Sequence, residues 1–394
     1  MEQSLFARLE SLYPELVDFR RDLHMNPELS FEEVRTPQRI AEYLQALGLE
    51  VRTGVGGRGV VAPLRGGKPG RTVALRADFD ALPIHDEKDV PYKSTVPGVM
   101  HACGHDIHTA GLLGVAKVLS EVREQLTGNV VFIHQFAEEV TPGGAKPMIE
   151  DGCLDGVDVI YGAHVHSPEP YGTVGTITGP AMAAADSFTV TVRGRGGHGA
   201  RPHDTVDPIV VTSHLILAFQ QIVSRQTDPL KSAVVTIGSI HGGNAFNVIP
   251  ETVDLKGTVR TFDPAVQDEI QAAIERMVEQ VCSVFGATGT LEYTRGYPAV
   301  VNHAAETDRI TELAGKLVGA GNVLSMPPSM GGEDFAYYLQ KVPGTFFFTG
   351  GGNEELQATY PHHHPRFDAD ERSMLVTGKL FIAAVLEELN EGPA

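Results

Sequence analysis

Arg71-Thr72-Val73-Ala74-Leu75-Arg76-Ala77-Asp78-Phe79-Asp80 is the stretch that decides the fold. Residues 71–77 read as a strand, and the carboxylates of Asp78 and Asp80 gather at its end, the pattern of a buried strand that delivers side chains to one edge of a sheet. Two other runs have the same form. Val130 to Phe136 leads into Glu138-Glu139, and Val157 to Gly162 leads into His164-Val165-His166. Helical patterns alternate with these strands, after a helical opening from Leu5 to Leu23 and from about Thr36 to Leu47. The alternation predicts an α/β catalytic domain with a mostly parallel sheet and flanking helices. Three strands then bring ligand-type side chains to the carboxyl edge, where open α/β sheets form their binding crevice.

Further along the chain the pattern changes. Strand Ser187 to Arg193, helix Val206 to Ser224, strands Ala233 to Ile240 and Thr252 to Thr261, helix Ala265 to Phe285 and strand Thr288 to Arg295 follow in order. That βαββαβ order is a ferredoxin-like arrangement with few clustered ligand-type residues, so it reads as a satellite. Beyond Gly296 the α/β character returns, with helix Ala304 to Leu317, strand Thr345 to Thr349 and a final amphipathic helix from about Glu371 to Glu388. The expected organisation is a catalytic domain in two parts, residues 1–184 and 297–394, with the satellite, residues 185–296, inserted between them.

A chain of 394 residues is long enough for two domains. Its formal charge of −19 argues against nucleic acid or an anionic membrane surface as partner, since both call for a positive footprint. Cys103, Cys153 and Cys282 are too few and too scattered for a disulfide framework, which fits a reducing compartment. With no signal-like N-terminal segment and no long apolar run, the expected location is the cytoplasm.

The chemistry concentrates in His101-Ala102-Cys103-Gly104-His105-Asp106-Ile107-His108. Cys103 and His105 supply S and N metal ligands just ahead of an apolar helix, whose N-terminus favours a thiolate. In isolation the stretch equally suits a solvated, helix-capping turn. Glu138-Glu139 adds a carboxylate that can bind metal beside one that can hold a water, the division of labour of metal-assisted hydrolysis. A storage protein would have no need of that second carboxylate, which weighs against a purely metal-binding or ligand-binding role. Any one of His362, His363 and His364 could close the site from the far end of the chain. His101 and His108 suit roles as orienting groups, whereas His24, His85, His134, His214 and His303 read as structural or surface residues.

In the satellite, His198 ends a strand within a glycine-rich turn, a second glycine-rich segment carries Asn244 and Asn247, and Arg260 is a candidate clamp for a carboxylate. Two GxGxxG matches, beginning at Gly54 and Gly194, lack the strand-to-helix context of a dinucleotide site. No P-loop or GxSxG elbow occurs.

Taken together, FRRDLHMNPELSFEE (19–33), LRADFDALP (75–83), MHACGHDIH (100–108), FAEE (136–139), GAHV (162–165), GRGGHGARPH (194–203), GGNAFNVIP (242–250), GTVRTF (257–262), GGEDFAYY (331–338) and HHPRFD (363–368) make the chain resemble peptidase family M20, specifically its amidohydrolase branch of aminoacylases, hippurate hydrolases and auxin-amino acid conjugate hydrolases. The resemblance runs essentially end to end. It implies two divalent ions, Zn²⁺ or Mn²⁺ with Co²⁺ or Ni²⁺ as alternatives, held by Cys103, His105, Glu139, His164 and His363. It further implies Glu138 as general base, His198 as oxyanion stabiliser, and Asn244 or Asn247 with Arg260 at the substrate carboxylate. Asp80 is expected in support. The implied activity is hydrolysis of N-acyl amino acids by a homodimer formed through the satellite, with dipeptidase or carboxypeptidase activity as the same-chemistry alternative.

Overall fold

In the computed structural model, which describes residues 1–390, the Lys68–Asp78 strand lies within an eight-stranded sheet. The strand order is Arg52–Val55, Gly59–Arg65, Thr127–Gln135, Lys68–Asp78, Val159–Pro170, Gly344–Gly352, Val174–Thr176 and Val323–Ser325. The four strands from Thr127–Gln135 to Gly344–Gly352 run parallel to their neighbours, and the antiparallel pairings lie towards the margins. Asp78 lies opposite Gln135, and Arg76 opposite Gly162. This register brings the ligand-bearing ends of three strands level at one edge.

Helix His105–Ser120 packs on this sheet and against helices Tyr13–Met25 and Ser373–Asn390. Two helical glycines permit the approach: a Cβ at Gly114 would sit 2.7 Å from Leu16 Cδ1, and one at Gly378 3.3 Å from Val115 Cγ2. The final helix is buried on most of its surface, from Met374 through Leu389, and departs from the expected amphipathic pattern. Its neighbours on several sides, helices Glu2–Ser11, His105–Ser120 and Ala304–Val318 together with the sheet, leave little of it in water. The opening helix also differs, because it breaks into Glu2–Ser11 and Tyr13–Met25. Pro14 in the first turn of the second helix has no N–H, and its ring would clash with the carbonyl of Glu10 in a continuous helix. The Val159–Pro170 strand runs past the expected end at Gly162, so His164 and His166 lie within it.

The described residues divide into two compact units, the first comprising 1–181, 300–327 and 333–390 and the second 182–299 with 328–332. The second has a four-stranded antiparallel sheet in the order Ala233–Gly242, Thr252–Thr261, Ala184–Arg193, Thr288–Tyr297. Helices Pro208–Gln221 and Pro264–Val284 complete the βαββαβ order. Each starts with an Asp-Pro pair, and the Asp207 and Asp263 carboxylates accept the N–H groups of Ile209 (2.9 Å) and Ala265 (2.8 Å). Alternate strand residues Phe188, Val190 and Val192 pack with Leu215, Phe219, Ile270 and Ile274 in its core. The short segment 328–332 belongs here through hydrogen bonds from the Ala183 N–H to the carbonyls of Ser329 and Gly331.

Candidate active site

Gly104 opens helix His105–Ser120 with φ +95°, and a Cβ there would lie 2.3 Å from Val165 Cγ1. Only glycine lets the chain turn so close to the Val159–Pro170 strand, and the turn sets Cys103 and His105 at the sheet edge. His105 Nδ1 lies 3.0 Å from Asp80 Oδ1, which leaves Nε2 buried with no hydrogen-bond partner. His164 Nδ1 is 2.7 Å from the Val165 carbonyl, and its Nε2 is 3.4 Å from Cys103 Sγ. Those partners assign the proton to Nδ1 in both rings and free Nε2 as a ligand atom. The Glu139 N–H donates to Asp80 Oδ2 at 3.0 Å, and its buried Oε1 faces two imidazole nitrogens. That oxygen lies 3.9 Å from His105 Nε2 and 3.2 Å from His363 Nε2.

Donor atoms of Cys103, His105 and Glu139 lie within 4.8 Å of one another. A buried His105 Nε2 without a hydrogen-bond partner, facing the Glu139 carboxylate and the Cys103 sulfur, forms a donor set of mixed S, N and O character that fits divalent cations. Asp80 braces both a histidine and a carboxylate of the set, the supporting role expected from the sequence.

The electrostatics differ from the sequence expectation at Cys103. Burial, reinforced by Glu139, Glu138 and Asp78, pushes its thiol well above the ordinary range. Burial would lower His105, but Asp78 and Asp80 outweigh it and raise the imidazole to about 10. Glu138 is pushed well above the usual carboxylate range by burial, then by Glu333, Glu139 and Asp334. Burial likewise raises Glu333 to about 8 and Asp334 to about 6. Arg76, wholly buried, donates to Asp78, Glu333 and Asp334 and carries the opposing charge.

His108, expected as an orienting group, has Nδ1 2.6 Å from Asp78 Oδ1, and its Nε2 accepts the Val165 N–H at 2.9 Å. Both nitrogens are thereby engaged. His101 differs, since it is buried and neither ring nitrogen has a hydrogen-bond partner. Of the three consecutive histidines, His363 faces Glu139, while His362 Nδ1 lies 3.8 Å from Cys103 Sγ and its Nε2 accepts the Ser167 N–H at 3.3 Å. His363 adopts φ +63°, a left-handed conformation costly for a side chain of its size. Glu333 and Asp334 were visible in the sequence only as part of a motif without a role, and the partners that make them part of the site lie far away in the chain. His24 is structural, with Nδ1 2.7 Å from Asp106 and Nε2 2.9 Å from Lys88 Nζ in a network around buried Arg20.

The remaining expected residues belong to the second unit. His198 is exposed on a two-residue strand paired with Val248–Ile249, and its Nδ1 accepts the Ala200 N–H at 3.1 Å. The Asn247 carbonyl accepts the Gly199 N–H at 2.8 Å, which brings the two glycine-rich segments side by side. Asn244 and Asn247 are exposed. Arg260 is half-buried and donates to Thr258 Oγ1 at 2.8 Å.

A family model described as "Peptidase family M20/M25/M40" matches residues 74–388. The chain is 43% identical over 359 residues to thermostable carboxypeptidase 2 of Saccharolobus solfataricus, covering 90% of this chain and 91% of the relative. It is 42% identical over 374 residues to N-acetyl-L-cysteine deacetylase of Bacillus subtilis, covering 95% and 88%. Among solved structures, the Bacillus subtilis YXEP protein, described as a dinuclear metal binding peptidase from the M20 family, superposes with a TM-score of 0.83 at 35% identity, covering 97% and 99%.

Proposed function

The chain belongs to peptidase family M20/M25/M40, and from that premise we propose that it hydrolyses the amide bond of N-acyl amino acids, releasing a carboxylic acid and a free amino acid. The observation that carries this reading is the meeting of the unpartnered His105 Nε2 with the Glu139 carboxylate beside Cys103, with the buried carboxyl of Glu138 4.0 Å from that nitrogen. Cys103, His105, Glu139, His164 and His363 would hold two divalent ions, which when bound supply Lewis-acid polarisation of the scissile carbonyl and a more acidic water.

Glu138 takes the proton from the attacking water and passes it to the departing amine. His198 donates to the developing oxyanion, the kind of interaction that usually dominates acyl transfer. Asn244 or Asn247 and Arg260 hold the substrate carboxylate. The protein acts as a homodimer through its second unit. Support for this comes from the exposed side chains of Leu217, Leu230 and Phe246 and from the one-sided pairing of the edge strand Ala233–Gly242.

Relatives named as a deacetylase and as a carboxypeptidase are nearly equal in identity, so substrate choice has to be measured. The test is release of free amino acid from N-acetyl, N-benzoyl and N-indoleacetyl amino acids, with added Zn²⁺ or Mn²⁺ and with chelator. Chelator-sensitive release supports the reading. Turnover only of peptides with a free α-amino group would replace it with a dipeptidase or carboxypeptidase.

A further inference from the structure

The two adjacent carboxylates at 138 and 139 hang from a turn that is braced twice, and the braces are separate. The Glu139 N–H is held by Asp80. Ala137, on the other side of Glu138, has φ +49°, a left-handed backbone at a fully buried residue that is not glycine. Such a conformation persists only where its surroundings over-determine it. Here the Ala137 N–H donates to Glu33 Oε1 at 2.9 Å, and the Ala137 carbonyl accepts the Gly144 N–H at 3.1 Å. Glu33 is itself 0% exposed, and Arg58 donates to its main-chain carbonyl. The side chain thus reaches across 104 positions of sequence to grip the residue that aims Glu138.

We infer that Glu33 is a positioning residue for Glu138: its carboxyl oxygen locks Ala137 in the left-handed turn and so directs Glu138, while Asp80 independently sets Glu139. This rests on Glu138 being the general base. Without the Glu33 oxygen, Ala137 relaxes towards an ordinary φ and Glu138 swings away, whereas the metal-binding carboxylate stays in place. A merely structural brace would affect both carboxylates and the stability of the whole unit.

The experiment compares Glu33→Ala, Glu33→Gln and Glu138→Ala as full chains loaded with Zn²⁺ or Mn²⁺, reading metal content, melting temperature, kcat and KM on N-acetyl-L-cysteine and on the best substrate of the panel. For Glu33→Ala the expected result is a fall in kcat on the order of tenfold to a hundredfold, the scale of a small misplacement, with KM and metal content unchanged. Glu33→Gln retains the acceptor oxygen and is expected to recover nearly all of the kcat. If Glu33→Ala does not fold, Glu33→Asp, which withdraws the oxygen by one methylene, replaces it with the same expectations. Parental kcat in Glu33→Ala beside an inactive Glu138→Ala overturns the inference, as does loss of metal in step with kcat that glutamine fails to rescue. Turnover by Glu138→Ala instead refutes the base assignment. A crystal structure of Glu33→Ala gives a readout free of any substrate: unchanged φ at residue 137 and an unmoved Glu138 overturn the inference, and a relaxed turn supports it.

Discussion

The expected metal ligands of the first unit and the expected substrate contacts of the second are built on opposite principles. Around Cys103, of the side chains that would hold ions His105 is buried, Cys103, Glu139 and His164 are partly buried and His363 is exposed, and His105, His164 and Glu139 are each fixed by another protein group. In the second unit, His198, Asn244 and Asn247 stand exposed on glycine-rich segments, and the Arg260 guanidinium donates to Thr258, two residues away. A cation site must be assembled before the ion arrives, because buried like charges repel until it binds. Groups that meet a transient substrate can wait in water and become desolvated only when the substrate comes.

Substitutions on the two sides should therefore fail differently. The largest effect is expected for Glu138→Ala, a loss of about 10²- to 10⁴-fold in kcat, the usual worth of general acid–base catalysis, with metal content unchanged by elemental analysis. Near-normal turnover in a metal-loaded sample would remove Glu138 from the mechanism. His198→Ala should lower kcat by roughly 10²- to 10³-fold, as loss of an oxyanion donor does, and leave metal content alone. If this variant lost metal instead, the contrast between the two units would break, since an exposed residue of the second would then be a ligand.

Asp80→Asn should act in the reverse sense, weakening metal affinity by about 10- to 100-fold in a competitive titration while the fully loaded protein keeps much of its kcat. Equal damage to kcat at saturating metal would show that Asp80 also governs the chemistry. The smallest effect concerns a buried histidine away from the ligands. Burial lowers His134 to about 3, so the native ring stays neutral where an unfolded chain takes up a proton near the ordinary 6.5. Below pH 6.5 the unfolded state binds the extra proton, and this contribution to stability falls as pH drops towards 3. His134→Phe, lacking that group, should show a flatter loss of melting temperature between pH 6.5 and 4 than the parent, and parallel curves would refute the assignment.

Much of this was legible because it depends on short-range pattern. The alternation of strand and helix and the charged ends of the strands at Asp78–Asp80 and Glu138–Glu139 need only neighbouring residues to be read. The break at Pro14 was equally local, yet the apolar periodicity carried across it and hid it. The near-complete burial of the last helix was not readable, since it depends on neighbours from both ends of the chain. Glu33, Glu333 and Asp334 escaped for the same reason: each gains its role from a partner more than a hundred residues away.

By itself, the sequence determined the α/β class, the βαββαβ segment and the inventory of sulfur, imidazole and carboxylate groups, because periodicity and residue type suffice for these. Tertiary structure alone decided which atoms of that inventory are available. Asp80 occupies His105 Nδ1 and leaves Nε2 free, Asp78 and the Val165 amide use up both nitrogens of His108, and the left-handed turn at His363 sets its ring beside Glu139. Hydrogen bonding and burial are properties of what surrounds a group in space, and they choose the ligand atom and shift the protonation that residue type leaves open.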